Sequence, residues 1–132
     1  MKQVACHYGH GKITHSFSEE LVGVLESAIN TYTPPATDKE LIEQAMAAPI
    51  ACSPLSALAK GKDKIVIIAS DHTRPVPSKL IIPPMLQQLR QGNPDADITI
   101  LIATGCHRGT TREELVQKFG EDIVQNEKIY IH

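Results

Sequence analysis

Two uninterrupted apolar runs, Lys64–Ser70 and Asp97–Ala103, are the strongest structural signal in the chain. Runs of this length that are rich in β-branched residues are typical of strands buried on both faces, as in a parallel sheet. A third run of the same kind begins at Lys128–His132. The segments between these runs have helical periodicity. They are Ser78–Gly92, Thr111–Gly120 and a short piece, Asp122–Gln125. This alternation predicts an α/β fold, a parallel-sheet, Rossmann-like three-layer domain.

The longest helical segment, Ser78–Gly92, is interrupted in its sequence by Pro83 and Pro84. Proline lacks the amide hydrogen that an interior helical residue donates, so we expect a kink or two short helices here. The apolar side of the segment is predicted to consist of Leu80, Ile81, Leu86 and Leu89.

Two further helices are predicted to begin with a capping box, the pattern T-x-x-E. Thr37 and Glu40 open the first, whose apolar stripe is Leu41, Ile42, Ala45 and Met46. Thr111 and Glu114 open the second. Both boxes are interpreted as structural features only. A short helix with Pro54 in its first position is expected over Ser53–Ala59.

The N-terminal part has a different pattern from the rest of the chain. Gln3–Phe17 alternates roughly between polar and apolar residues around Gly9 and Gly11, which predicts a β-hairpin. Glu19–Asn30 fits either a helix or a strand. Tyr32–Ala36, with two prolines, is predicted to be an extended linker.

Composition limits the class of protein. The chain has 132 residues, 42% of them hydrophobic, which suits one globular domain over residues 1–132. The net charge of −2 gives no basic stripe for nucleic acid and no polybasic membrane anchor. No apolar run approaches the ~20 residues of a membrane span, and no signal-peptide core is found. With three cysteines, an odd number, we expect thiols and a cytoplasmic protein.

The candidate chemistry lies in the polar segments that follow the two apolar runs, Ser70–Lys79 and Thr104–Gly109. In a parallel α/β sheet, ligands bind outside the carboxyl ends of the strands. If the two strands are neighbours, both segments face one crevice. That convergence is a stronger indication of a binding site than either segment alone.

The residue types in these segments suit an anionic ligand. Arg74 presents a planar fork to a phosphate or carboxylate, and Asp71 could orient Arg74 or accept a hydrogen bond from a sugar hydroxyl. Thr73 could donate to a phosphate, Gly105 permits close approach of the backbone, and the helix starting near Thr111 offers free amides to an anion. His107 can exchange protons near neutral pH.

Ordinary structural explanations compete with each of these assignments. The segment around Asp71 could form an internal salt bridge with helix caps, and His107 could be an exposed loop residue. Cys106 is interpreted as a small buried residue rather than a nucleophile. The cluster Cys6–His10 lacks the usual spacing of paired zinc ligands, so no metal site is predicted in this chain.

The segments Ser70–Lys79 and Ala103–Arg108 resemble the two N-terminal signature loops of the nickel-dependent lactate racemase family. Tyr8-Gly9 and the helix end Ala47–Ile50 also resemble that family, and the resemblance spans nearly the whole chain. In the family, the segment corresponding to Leu21–Leu25 is usually extended, which favours a strand there.

The resemblance implies racemisation or epimerisation of a small 2-hydroxyacid substrate. The implied cofactor is a nickel-pincer nucleotide, the Ni(II)-pyridinium-3,5-bisthiocarboxylate mononucleotide, which takes a hydride from the substrate Cα while a histidine takes the hydroxyl proton. His107 would be one of two acid/base histidines, and Arg74 would lie near the substrate carboxylate. The residues implied to bind the cofactor are Asp71, His72, Thr73, Arg74, Thr104 and Gly105.

The resemblance also implies a second domain. The family's cofactor-linking lysine, its nickel-binding histidine and its second acid/base histidine lie further downstream than this sequence extends. We therefore expect this chain to be the N-terminal domain of a longer two-domain enzyme, inactive without its C-terminal domain.

Two other functions remain open at this point. The first is a nucleotide- or phosphate-binding module without catalysis, and the second is an oxidoreductase that uses the same cofactor. A Rossmann domain for NAD is not expected, because no G-x-G-x-x-G pattern follows either strand.

Overall fold

The computed structural model of the chain describes residues 1–18, 20, 23 and 25–132, which form two compact units. The first unit, Met1–Pro34, contains an antiparallel hairpin of β1 (Lys2–Tyr8) and β2 (Gly11–Phe17), followed by a short 3₁₀ helix, Ala28–Thr31. The predicted hairpin is confirmed. The prediction of a strand near residues 21–25 rests mainly on residues outside the described part of the chain.

The second unit, Pro35–His132, is an α/β unit. Its three strands are parallel and lie in the order β3-β4-β5, and the two helical connections between them join neighbouring strands. The α/β class is therefore confirmed. In chain order its elements are α1 (Asp38–Ala47), α2 (Leu55–Leu58), β3 (Lys64–Ser70), α3 (Ser78–Gly92), β4 (Asp97–Ala103), α4 (Arg112–Phe119), α5 (Glu121–Asn126) and β5 (Lys128–Ile131). Among the helices in the described ranges, none is long and apolar enough to cross a membrane.

The apolar core of this unit lies against one face of the sheet. On that face β3 and β4 contribute Ile67, Ile98, Ile100 and Ile102. On the other face Val66 is 58% exposed and Ile68 is 72% exposed, so the prediction of strands buried on both faces is wrong for β3. Successive right-handed crossovers between neighbouring strands put every connecting helix on the same side of a sheet. Within this unit, helices therefore pack against one face of the sheet, not two.

Helix α3 is continuous across Pro83 and Pro84, so the alternative of two short helices is wrong, whereas a kink at the prolines stays a prediction. Both prolines lie in the second turn, where they remove few hydrogen bonds, and the helix is held to the core by its buried side chains. Those side chains are Ile82, Leu86 and Leu89, whereas Leu80, expected on the buried side, is largely exposed.

Candidate functional site

The two polar segments meet at the carboxyl edge of the sheet. Strands β3 and β4 pair in parallel up to Ser70 and Ala103, so Asp71 and Thr104 leave adjacent strand ends. The predicted convergence of the segments is confirmed. Together with Arg74, they line a crevice of about 560 Å³.

A carboxylate and an imidazole form the centre of this crevice. His107 Nδ1 lies 2.5 Å from Asp71 Oδ2. Asp71 is only 1% exposed, although it sits at the end of a strand. Its other oxygen accepts hydrogen bonds from the backbone amide of Thr73, at 3.1 Å, and from the Thr73 hydroxyl, at 2.7 Å. The aspartate is thus fixed from both sides, and the imidazole is fixed by the aspartate.

The electrostatics of this pair determine which nitrogen of His107 carries the proton. The Thr73 hydroxyl, and after it His107, lower the pKa of Asp71 to about 2, although burial of the carboxyl acts in the opposite direction. Asp71 is therefore ionised at neutral pH and can only accept, so Nδ1 of His107 is the donor. The neutral imidazole then keeps Nε2 as an acceptor, the state required of a general base.

The loop that carries His107 begins with a tight turn. The His107 amide donates to the Thr104 carbonyl at 3.1 Å, and Gly105 occupies the turn with φ of +61°, a conformation that favours glycine. The Thr104 side chain is buried and its hydroxyl donates to the His132 carbonyl at 2.6 Å. Cys106 lies at the tip of the turn and is exposed, so its interpretation as a buried residue is wrong.

Arg74 lies at the rim of the crevice with an exposed side chain. The guanidinium has no hydrogen-bond or ion-pair partner within the part of the chain that the structure describes. Asp71 does not orient it, because the carboxylate of Asp71 is occupied by Thr73 and His107. An unpaired guanidinium beside a carboxylate–imidazole pair is well suited to bind an anionic group of a ligand.

The same segment also lines a second, smaller crevice of about 310 Å³. His72 faces this crevice and not the one that holds His107, and its Nδ1 lies 3.2 Å from the hydroxyl of the buried Thr110. Arg74 lines both crevices. The structure thus brings together Asp71, Arg74, Thr104, Gly105 and His107, and turns His72 away from them.

Lys118 is a site residue that the sequence did not indicate. It lines the second crevice, and its ammonium group donates to the Arg74 carbonyl at 2.8 Å. Burial lowers its pKa below the ordinary value for lysine. Helical periodicity marks Lys118 only as a polar residue of α4, and no local pattern connects it to a loop 44 residues earlier.

Two of the amides at the start of α4, those of Thr111 and Glu114, are occupied by side chains of the helix itself and are not free for an anion. The Thr111 hydroxyl accepts from the Glu114 amide, and the Glu114 carboxylate accepts from the Thr111 amide at 2.9 Å. The negative charge at this helix start is therefore supplied by the protein itself.

Among the described residues, no group of three or more histidine, cysteine, aspartate or glutamate side chains is arranged to hold a metal ion. Besides the guanidinium of Arg74, the crevice contains a buried polar atom without a partner: the hydroxyl oxygen of Ser70 makes no hydrogen bond within the described structure. Buried polar atoms are normally paired, so an orphan in a crevice suits contact with a bound group.

Taken together, a parallel α/β unit with a carboxylate–imidazole pair and an unpaired guanidinium at its carboxyl edge has the design of a ligand-binding domain of an enzyme. Comparison with known families makes the assignment specific. Residues 8–132 match the family described as the lactate racemase N-terminal domain, and the chain belongs to this family. The resemblance inferred from the two loops is therefore confirmed.

Individual relatives agree with this assignment. The chain is 42% identical to the lactate racemase of Thermoanaerobacterium thermosaccharolyticum over 133 aligned residues, which cover 100% of the chain and 31% of that protein. It is 52% identical to the lactate racemase of Lactiplantibacillus plantarum over 114 residues, 86% of the chain and 27% of that protein.

The fold agrees as well. The structure of the lactate racemase apoprotein from Thermoanaerobacterium thermosaccharolyticum superposes with a TM-score of 0.85 at 41% identity, over 99% of this chain and 30% of that one. The chain thus spans less than a third of the length of each of these relatives.

Proposed function

We propose that this chain is the N-terminal, substrate- and cofactor-binding domain of a 2-hydroxyacid racemase or epimerase. The observation that carries the proposal is the Asp71–His107 pair beside the unpaired guanidinium of Arg74. Membership of the lactate racemase N-terminal family and the two lactate racemases of similar sequence support it. The activity belongs to a longer protein, since the relatives are more than three times the length that this chain covers.

In this proposal His107 removes the proton from the substrate hydroxyl. Its Nε2 is the available acceptor, because Nδ1 donates to Asp71. The imidazolium that forms is stabilised by the ionised carboxylate, as in other acid–base pairs of histidine and aspartate. Arg74 binds the substrate carboxylate through its planar fork and fixes the hydroxyl towards His107. Racemisation requires the hydrogen at Cα to return to the opposite face of a planar keto acid, so the hydroxyl oxygen of the other enantiomer needs a second acid/base group, which in this proposal lies in the rest of the protein.

We propose that the crevice also binds a nucleotide cofactor of the kind that the family resemblance implies. The unpaired Ser70 hydroxyl and the open space beside Gly105 support such a contact, since a Cβ at Gly105 would meet no described atom within 4 Å. In the proposal Asp71, Thr104 and Gly105 form the wall against the cofactor. When bound, a nickel-pincer nucleotide would supply the hydride acceptor for the substrate Cα. Contact of His72 and Thr73 with the cofactor stays a prediction, because His72 faces the neighbouring crevice.

The test is racemisation of lactate by the complete protein that contains this chain, produced with nickel and followed by the optical purity of the product. We expect His107→Ala to lower turnover by about 10²- to 10⁴-fold, the usual contribution of a general base. His15→Ala is the matched control, because His15 lies exposed on β2 and contacts Phe17.

Turnover that survives His107→Ala at the level of the control would contradict the proposed role of His107. Net formation of a keto acid from one enantiomer, in place of racemisation, would instead indicate an oxidoreductase.

A further inference from the structure

Glu114, at the start of α4, contacts the neighbours of both members of the catalytic pair. Arg108 directly follows His107, and its guanidinium donates to the two carboxylate oxygens of Glu114 at 2.9 and 2.6 Å. His72 directly follows Asp71, and its Nδ1 lies 3.7 Å from Glu114 Oε2. One carboxylate therefore binds the loop after β4 through Arg108 and lies beside the loop after β3 at His72.

Glu114 is anchored on a helix that packs in the core, unlike the loops that it contacts. The next residue along α4, Leu115, is buried in the core, and Phe119 one turn later is among its most buried side chains. His107, Arg108 and Thr73 are all exposed. A side chain anchored on a packed helix can fix the geometry of exposed loops better than loop residues can fix one another.

The charge of Glu114 suits this role. Its hydrogen bonds with Arg108, and then with the Thr111 amide, lower its pKa to about 2, and the same contact raises the pKa of Arg108. The pair is therefore fully ionised near neutral pH. A two-pronged contact between guanidinium and carboxylate restricts the orientation of both groups, which a single contact does not.

We propose that Glu114 is a positioning residue that sets the spacing of Asp71 and His107 by holding Arg108 from the start of α4, where the carboxylate also lies beside His72. The inference rests on the proposed function, in which His107 is the acid/base residue. Glu114 itself does not line the crevice that holds the pair. Its effect is exerted through the two loops.

The experiment observes the hydrogen bond of the pair directly. In protein labelled with ¹⁵N at its histidines, the His107 Nδ1 proton is assigned by its loss in His107→Ala, and its exchange with water is measured by proton NMR. We expect exchange at least about tenfold faster in Glu114→Ala, because a charge-assisted contact that holds the loops is lost. We expect a smaller acceleration in Glu114→Gln, since glutamine keeps the helix cap but not the charged fork.

Two matched controls separate positioning from simple stability. Glu40→Ala removes the equivalent capping-box carboxylate of α1. Glu127→Gln weakens an equivalent two-pronged contact, that of Arg90 with Glu127 at 2.8 and 2.7 Å. In both controls the exchange rate of the His107 Nδ1 proton should stay within about twofold of that in the unchanged protein, because neither carboxylate contacts the two loops.

The inference would be overturned if the His107 Nδ1 proton of Glu114→Ala exchanged at a rate within twofold of that in the unchanged protein. If Glu114→Ala does not fold, the same twofold limit is applied to Glu114→Gln, in which the N-terminal cap of α4 is intact. The readout does not depend on turnover. Faster exchange in a protein that does not racemise lactate would therefore reject the proposed function and leave the positioning role standing, whereas unchanged exchange in an active racemase would reject only the positioning role.

Discussion

Helices α1 and α4 begin with the same T-x-x-E pattern and form the same local structure. In each, the threonine hydroxyl accepts from the glutamate amide at 3.4 Å, and the threonine amide donates to the glutamate carboxylate at 2.9 Å. They differ in what else the carboxylate contacts. Glu40 bonds the hydroxyl of its own Thr37, at 2.7 Å, whereas Glu114 bonds Arg108 and approaches His72.

The difference teaches that a capping box can serve two purposes at once. At α1 the box satisfies the amides of a helix start and nothing more, as expected from the sequence. At α4 the same carboxylate also binds Arg108, in the loop after β4, and lies 3.7 Å from His72, in the loop after β3. The interpretation of both boxes as purely structural therefore applies to Thr37 and Glu40 but is incomplete for Glu114.

The largest difference between the two capping boxes is expected in the turnover of variants that lack the glutamate. In the complete protein, Glu114→Ala should lower kcat for lactate racemisation by about tenfold or more with a smaller change in KM, because it disturbs the proposed acid/base pair and not Arg74, which is proposed to bind the substrate carboxylate. Glu40→Ala should leave kcat within about twofold. Equal losses of kcat in the two variants would show that the α4 box acts only on stability.

A smaller difference is expected in the pH dependence of stability. The folded-state pKa of Glu114, about 2, lies below the ordinary value of 4.5, so the folded protein binds fewer protons than the unfolded chain. Its contribution to the free energy of unfolding is present above about pH 4.5 and is lost as the pH falls towards 2. Glu114→Gln should flatten that acid-side decline, as measured by urea unfolding at several pH values.

Glu40→Gln should flatten the decline less. The pKa of Glu40 is also lowered, through its hydrogen bond with the Thr37 hydroxyl, but Glu40 has no cationic partner within the described residues. Parallel pH profiles for the two variants would mean that the Arg108 contact adds nothing to the stability of the folded state.

The smallest difference between the two helices is expected in the loss of stability when the threonine of each capping box is removed. Thr37→Ala and Thr111→Ala should each lower the free energy of unfolding by about 1 kcal/mol, the usual value for a lost helix cap. Both helix starts share the bond from the glutamate amide to the threonine hydroxyl, and the extra bond of the Thr37 hydroxyl to the exposed Glu40 contributes little, so the two losses should agree within about 1 kcal/mol in thermal or urea unfolding. A much greater loss for Thr111→Ala would show that the hydroxyl, and not only the carboxylate, supports the loops.

Most secondary structure followed from the sequence because its causes are local. Runs of β-branched residues marked β3 and β4 with their observed bounds, and the capping boxes located α1 and α4. The exceptions are cases where tertiary packing outweighs a local preference. Helix α3 continues through Pro83 and Pro84 because its buried face is fixed in the core, and β3 leaves Ile68 exposed because its neighbouring helices all lie on one side.

The candidate site was predictable in outline but not in its contacts. Parallel strands carry their ends to one edge of a sheet, so the meeting of the segments after β3 and β4 could be anticipated from their order. The orientation of individual side chains could not. Asp71 pairs with His107 and not with Arg74, Cys106 is exposed at the tip of a turn, and His72 turns towards Thr110.

The sequence by itself thus determined the α/β class, the two strand-end loops and the family to which they belong, since each depends on residues close together in the chain. Only the tertiary structure decided that Asp71 fixes His107, 36 residues away, and that Glu114 reaches both loops from α4. The physical reason is that hydrogen bonds within a helix cap span three residues, whereas contacts between loops depend on how the strands pair and on which side the helices pack.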